Sequence, residues 1–219
     1  ILSFDIFKND TYNIELTSKD RTSGVESTAY YKTRDQISEE ALMELNEDEW
    51  IKSTSFSVSP NEQNEQFVVY GRVIDRAGNV RYLYPTNGAV ADDTKPEITI
   101  TNLSTSRNGI FRDDVTLHID VTDPINGNTY SGIKLLEYTV RATGNVTAND
   151  TYNILSEPEY PVQSRQSWSG NITIPAAKYN SNDVTVSVHV VDFSGNDLVK
   201  EIQLSIDNTD PTIQVTYDL

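Results

Sequence analysis

Asp75-Arg76-Ala77-Gly78-Asn79 closes a β-like run, and the same phrase returns as Asp192-Phe193-Ser194-Gly195-Asn196. Each copy is followed by a second mark of the form Asp/Asn-Thr-x-Pro, at Asp93 to Pro96 and at Asn208 to Pro211. The phrase suits a tight hairpin built on a type I turn. Asp in first position accepts backbone N–H groups, and Gly in fourth position supplies a positive φ. A ligand site at the two carboxylates is the competing reading. The hairpin alone accounts for the spacing.

Working outward, other landmarks repeat in the same order. Ile6-Phe7-Lys8-Asn9-Asp10 returns as Ile110-Phe111-Arg112-Asp113-Asp114, and Ser23-Gly24-Val25 behind Asp20 returns as Ser131-Gly132-Ile133 behind Asp123. The separation between matched landmarks grows along the chain, so the second copy carries insertions in its loops. An ordered set of this kind marks an internal duplication.

Strand periodicity runs through both copies. Val184, Val186, Val188 and Val190 alternate with Thr185, Ser187, His189 and Val191, as expected for a sheet with one buried face. Phe67, Val69, Gly71 and Val73 take the matching places in the first copy, and Val115, Leu117, Ile119 and Val121 are answered by Tyr12, Ile14 and Leu16. Phe56 and Val58 before Pro60 match Ile172 and Ile174 before Pro175; Tyr30 matches Tyr138, and Trp50 is matched with Trp168. Short strands divided by turn signals, about seven per ~100 residues, make a β-sandwich. Only Ser38 to Leu45 reads helical, with Ser38 as N-cap. Pro96 and Pro211 cannot donate to a ladder, so each suits the start of an edge strand after a linker. The strand after Pro211 is expected either to pad the second module's edge or to be poorly ordered.

Composition narrows the function. The chain has 219 residues, 17 basic against 33 acidic, a net charge of −16 and no cysteine. That balance argues against nucleic acid, which needs clustered Lys and Arg. Without cysteine there is neither a disulfide framework nor a thiolate metal site. No apolar run is long enough to span a bilayer. No signal-peptide pattern opens the chain at Ile1, which reads as the start of an excised segment.

The ordered set, from Asp20 through Val25, Tyr30, Trp50, Asp75 to Asn79 and Asp93 to Pro96, resembles bacterial immunoglobulin-like repeats. The second pass, Asp123, Ser131 to Ile133, Tyr138, Trp168, Asp192 to Asn196 and Asp207 to Pro211, repeats the resemblance. It implies spacer or adhesin-stalk modules strung along large surface or secreted proteins, with no shared catalytic residues. The reading is all-β, as two tandem immunoglobulin-like antiparallel β-sandwiches: residues 1–92, residues 93–207, and 208–219 as linker and first strand of a truncated third repeat.

Candidate sites follow from what differs between the copies and from the acidic junction. The second copy lengthens the loop between Asp123 and Ser131, and it lengthens the stretch between Tyr138 and Trp168, which carries Tyr152 and Tyr160. Loops on a rigid sandwich are where binding resides, and exposed tyrosines make good contacts. Tyr152 and Tyr160, in the Thr143 to Gln166 region, are therefore the candidates for a host glycan or surface protein. Calcium is the candidate cation, because hard cations take carboxylate oxygens at domain junctions. Asp92, Asp93 and Asp123 are placed at the first junction, with Asp192, Asp207 and Asp210 at the second. The bland alternatives are a decorated loop and solvated acids. Catalysis finds no support: His118 and His189 lie in different strands, point away from the core and have no obvious serine partner. A Lys–Asn isopeptide cross-link stays open, with no readable pairing. The resulting expectation is a non-enzymatic spacer, extracellular or on a cell surface, whose partners are neighbouring repeats. The alternative is an adhesin or glycan-binding module using the inserted loop.

Overall fold

Residues 2–61, 63–156 and 165–217 are described in the computed structural model. The first module holds β1 (Ser3–Lys8), β2 (Tyr12–Glu15), β3 (Val25–Thr33), β4 (Ser55–Val58), β5 (Glu65–Asp75), β6 (Val80–Leu83) and β7 (Asn87–Ala91). The second holds β8 (Glu97–Asn102), β9 (Ile110–Phe111), β10 (Val115–Thr122), β11 (Ile133–Thr143), β12 (Ala148–Leu155), β13 (Ser167–Ile174), β14 (Asp183–Asp192) and β15 (Asp197–Ile206). The fold is that of two tandem immunoglobulin-like β-sandwiches.

In the second module a three-stranded sheet, β13-β10-β8, packs on a five-stranded sheet, β12-β11-β14-β15-β9. The alternation in β14 lands as its pattern requires. Val184, Val186, Val188 and Val190 are fully buried and meet Leu117, Ile119, Leu136, Val140 and Ile174 in one core. Strand pairing is antiparallel except at β9, which runs parallel to β15. The first module repeats this exception, with β1 parallel to β7.

In the first module the sheet β1-β7-β5-β3, with β6 also on β5, faces the β2–β4 pair. Here the simple one-face pattern gives way. Phe67 and Val69 of β5 look toward β2 and β4, packing with Val58, Ala89, Ala91, Tyr12 and Ile14. Val68 and Tyr70 are buried on the opposite face, with Ala29, Leu42 and Trp50. The β3–β4 connection makes that second face. Its helix α1 (Glu39–Met43) is capped by the Ser38 hydroxyl, which accepts from the Ala41 N–H at 3.1 Å. Leu42 points down from it onto β5. Trp50 belongs to this outer layer, beneath the Arg72 guanidinium at 4.7 Å. Trp168 instead lies in β13 opposite Val121, against the main core. The two tryptophans are therefore not counterparts.

Residues 208–217 form no strand, and Ile213, Val215 and Tyr217 are exposed. The segment does not pad the second module's edge.

Candidate metal centre at the module junction

Both copies of the repeated phrase are hairpin turns. Asp75 Oδ1 accepts from the Ala77 and Asn79 N–H groups at 2.9 and 2.8 Å, and Gly78 has φ 86°. Asp192 Oδ1 accepts from the Asn196 N–H at 2.8 Å, its Oδ2 accepts from the Asn196 amide at 2.7 Å, and Gly195 has φ 91°. The loop before each Ser-Gly turn is held in a related way. Asp20 Oδ2 accepts from the Gly24 N–H at 2.6 Å, as Asp123 Oδ2 does from the Gly132 N–H at 2.6 Å. The turns dock on each other alike: the N–H of Arg76 donates to Gly24 O, and that of Phe193 to Gly132 O.

What separates the copies is the linker. Asp92 follows β7, its N–H donating to Lys8 O at 2.7 Å. Its Oδ1 accepts from the Thr94 N–H at 2.9 Å and its Oδ2 from the Ser131 N–H of the next module at 2.7 Å. The Asn196 amide donates to the Asp92 carbonyl at 2.9 Å. These bonds bring Asp92 against the two motif carboxylates of the second module. Asp92, Asp123 and Asp192 are all fully buried, and each contributes an oxygen within 4.8 Å of the others.

The electrostatics of this triad are unusual. Its hydrogen-bond partners, backbone N–H groups, the Ser131 hydroxyl and the Asn196 amide, are neutral. Two unit charges no farther apart than ~4.8 Å repel by at least about 3 kcal/mol at an effective dielectric of ~20. Burial, followed by the charge of Asp92, pushes Asp123 up to about 7. Asp192 is likewise pushed up to about 7, chiefly by burial. Asp92 is raised by burial as well. The less buried counterparts move the other way: Asp20 is held below the usual carboxylate range by the Gly24 N–H, and Asp75 by the Asn79 side chain.

One oxygen stands out. Asp123 Oδ1 is buried and has no hydrogen-bond partner among the described residues. A buried, unpaired carboxylate oxygen costs free energy unless a proton or a cation meets it. Calcium binds oxygens at ~2.3–2.6 Å, so two ligands across it lie about 4.6–5.2 Å apart. The triad's oxygens, all within 4.8 Å of one another, are close enough to share one such ion. The residues therefore fit a hard divalent cation, with Asp92, Asp123 and Asp192 as its carboxylate donors.

The junction also corrects the sequence-based placement. Asp192 stands with Asp92 and Asp123, not with Asp207 and Asp210, because the β14–β15 hairpin and the linker share one pole of the second module. Asp93 is outside the triad, its N–H donating to Asn64 Oδ1 at 3.3 Å. Asp207 is exposed, its Oδ1 accepting from the Thr209 N–H at 3.0 Å, and Asp210 lies 3.6 Å from the exposed Arg112. The inserted 124–130 loop is a buttress at the junction. Arg34 donates to Asn128 O at 3.3 Å, and the Asn126 amide donates to Thr94 Oγ1 at 3.2 Å. Asn64 was not legible in the sequence. It is 2 % exposed and ties Thr94 of the linker to Thr129 of the loop. Asn196 carried a signal, as the closing residue of the repeated phrase.

Tyr152 lies in β12, turned toward the core, where its ring stacks on Tyr138 at 4.9 Å and its hydroxyl meets that of Tyr179 at 2.8 Å. Tyr160 lies outside the described residues. His189 pairs with Glu137 at 3.1 Å. His118 does have a serine beside it: Ser169 Oγ stands 3.2 Å from Nε2, and Asn171 Oδ1 stands 2.6 Å from Nδ1. Ser169 donates instead to Asp120 at 2.7 Å, and Ser169, Asp120 and Asn171 are exposed on the outer face of β10 and β13. That open surface offers none of the preorganised, water-excluded surroundings an acyl-transfer site requires.

No family model matches this chain, and a comparison with curated proteins gives no match. Solved structures do resemble it in fold. The fibronectin(III)-like modules of Clostridium thermocellum CbhA align over 98% of this chain and 96% of theirs, at 12% identity and TM-score 0.39. A tetra-tandem repeat from the extending region of a large adhesion protein aligns over 94% of this chain and 48% of its own, at 16% identity and TM-score 0.40. A DUF3823 family protein from Bacteroides ovatus aligns over 92% and 100%, at 12% identity and TM-score 0.30. The likeness is one of strand architecture. No helix among the described residues is long and apolar enough to cross a membrane.

Proposed function

We infer that this chain is a non-catalytic spacer, a tandem repeat segment of a cell-surface or secreted protein whose modules are clamped end to end by a divalent cation, calcium by its ligand chemistry. The observation that carries this reading is the buried carboxylate triad, built from the linker of one module and two turns of the next. A cation there joins three segments that otherwise repel. It adds a strong tie to a linker already hydrogen-bonded to both modules, which is what a projecting rod needs. The stacked rings of Phe7 and Phe193, 5.2 Å apart across the junction, add an apolar contact. Repeat arrays of this kind derive stability from contacts between neighbours.

The test is a thermal melt in chelator and in calcium, paired with small-angle scattering. Calcium should raise the melting temperature and narrow the spread of interdomain distances. Identical melts and identical scattering in the two conditions would remove the clamp.

A further inference from the structure

Asparagine before glycine is the pair most open to a spontaneous side-chain reaction, because a residue without Cβ leaves its backbone nitrogen accessible to the preceding side-chain carbonyl. Three such pairs stand in the chain: Asn87-Gly88, Asn108-Gly109 and Asn126-Gly127. The fold treats each differently. Asn87 begins β7, where its amide donates to Asp5 Oδ1 at 2.6 Å and the Phe4 ring lies against the buried Gly88. Asn108 stands exposed in the turn that Arg107 and Ile110 close by mutual backbone hydrogen bonds.

Asn126 is held by the joint between the modules. Its amide donates to Thr94 Oγ1 at 3.2 Å, the Thr94 hydroxyl donates to Asn64 Oδ1 at 3.2 Å, and the Asn64 amide donates to Thr129 O at 3.5 Å. Gly127 follows at φ 66°, with one side against the first module. A Cβ there would come within 2.7 Å of Asn64 O and 2.9 Å of Gln63 Cβ. The two partners of a ring closure, the Asn126 side chain and the Gly127 backbone, are thus pinned by the linker and the first module. Parting of the modules frees both at once and leaves an Asn-Gly pair in an open turn.

We propose that Asn126 is a modification site gated by the joint, where separation of the modules permits an irreversible deamidation. The Gly127 nitrogen attacks Asn126 Cγ, and the new C–N bond closes a cyclic imide. The side-chain nitrogen leaves as ammonia, taking the proton of the Gly127 N–H. Water then adds to either imide carbonyl and leaves aspartate or isoaspartate at that position. The product carries an acceptor where Asn126 had a donor. Thr94 has a single hydroxyl proton, already given to Asn64, so it cannot serve the new carboxylate without releasing Asn64. A negative charge also enters beside a linker that carries Asp92 and Asp93. Reclosure is weakened, and the chain keeps a record of having opened. The site depends on the hydrogen-bonded joint and needs no cation, so its test is run in chelator and stands or fails apart from the clamp.

The protein is aged in mildly alkaline buffer with chelator at physiological temperature, and each asparagine is followed by peptide mapping and mass spectrometry. In the parent, Asn126 should convert more slowly than Asn108, and Asn87 should stay intact. Thr94→Val removes the acceptor of the Asn126 amide, and Arg34→Ala removes the exposed side chain that donates to Asn128 O of the same loop. Each should speed conversion at Asn126 about fivefold, the change in open population that losing one ordinary hydrogen bond brings, while Asn108 keeps its rate. Asn126→Asp, which installs the product directly, should widen the interdomain distances in small-angle scattering beyond those of the parent. Asn126 converting as fast as Asn108 in the parent, an unchanged rate in both variants, Asn87 converting in step with Asn126, or parent-like scattering from Asn126→Asp each overturns the proposal.

Discussion

Asp75 and Asp192 head the same five-residue hairpin with matching hydrogen bonds, yet only Asp192 is fully buried. The difference is the linker: Asp92 stands beside Asp192, and its carbonyl accepts from the Asn196 amide that closes the same turn. The same residue in the same turn is a solvated cap in one module and a candidate cation ligand in the next.

Asp123→Asn separates the two energetic roles of the triad. In excess calcium the parent should gain stability by mass action, about 2.7 kcal/mol at ~100 times the dissociation constant, and the variant should lose most of that gain. In chelator the order should reverse or vanish, because the variant removes a charge from a buried, mutually repelling set. Differential scanning calorimetry in the two conditions reads both. A variant that responds to calcium as fully as the parent would show that Asp123 is not a ligand.

Stability of the cation-free chain should depend on pH through the same residues. Asp123 and Asp192 are pushed up to about 7 in the fold, against about 3.9 in an unfolded chain. Between those values the folded chain binds more protons, so these groups contribute less stability as pH rises. Asp20 and Asp75, held low, work in the opposite sense. The difference between parent and an Asp123→Asn, Asp192→Asn double variant isolates the triad. In chelator the parent should fall relative to the variant from pH 5 to pH 7.5. A flat difference across that window would sink the idea.

Gly127 and Gly78 both have positive φ, 66° and 86°, but differ in surroundings. A Cβ at Gly127 would come within 2.7 Å of Asn64 O, whereas one at Gly78 meets nothing within 4 Å. Gly78→Ala should cost only the backbone strain, about 1 kcal/mol. Gly127→Ala should cost more and should also loosen the joint, seen as faster proteolysis within the linker. Equal costs for the two would mean the 124–130 loop does not bear on the first module in solution.

The Phe7–Phe193 stack offers a direct measure of coupling between modules. A double-mutant cycle with leucine at each position should give about 0.5–1.5 kcal/mol. A coupling energy indistinguishable from zero would mean that the rings do not meet in solution.

Much of the molecule is legible in the chain. The Ser38 cap, the valine alternation of β14 and the type I hairpins at Asp75 and Asp192 are local events whose causes lie within a few residues. The outer layer of the first module was not, because Trp50 and Leu42 bury Val68 and Tyr70 from a face that alternation assigns to solvent. Ser169 beside His118 was hidden for the same reason: the pair depends on the β10–β13 register.

Strand alternation, turn chemistry and the ordered duplication were enough to give the all-β class as tandem sandwiches, since each of those signals is short-range. Which carboxylates meet, and what they become when they meet, belongs to the tertiary structure. Asp92, Asp123 and Asp192 come from a linker, a loop and a hairpin far apart in sequence. Their shared burial and the unpaired oxygen of Asp123 arise only when those segments are packed, because desolvation and hydrogen-bond pairing are properties of neighbours in space.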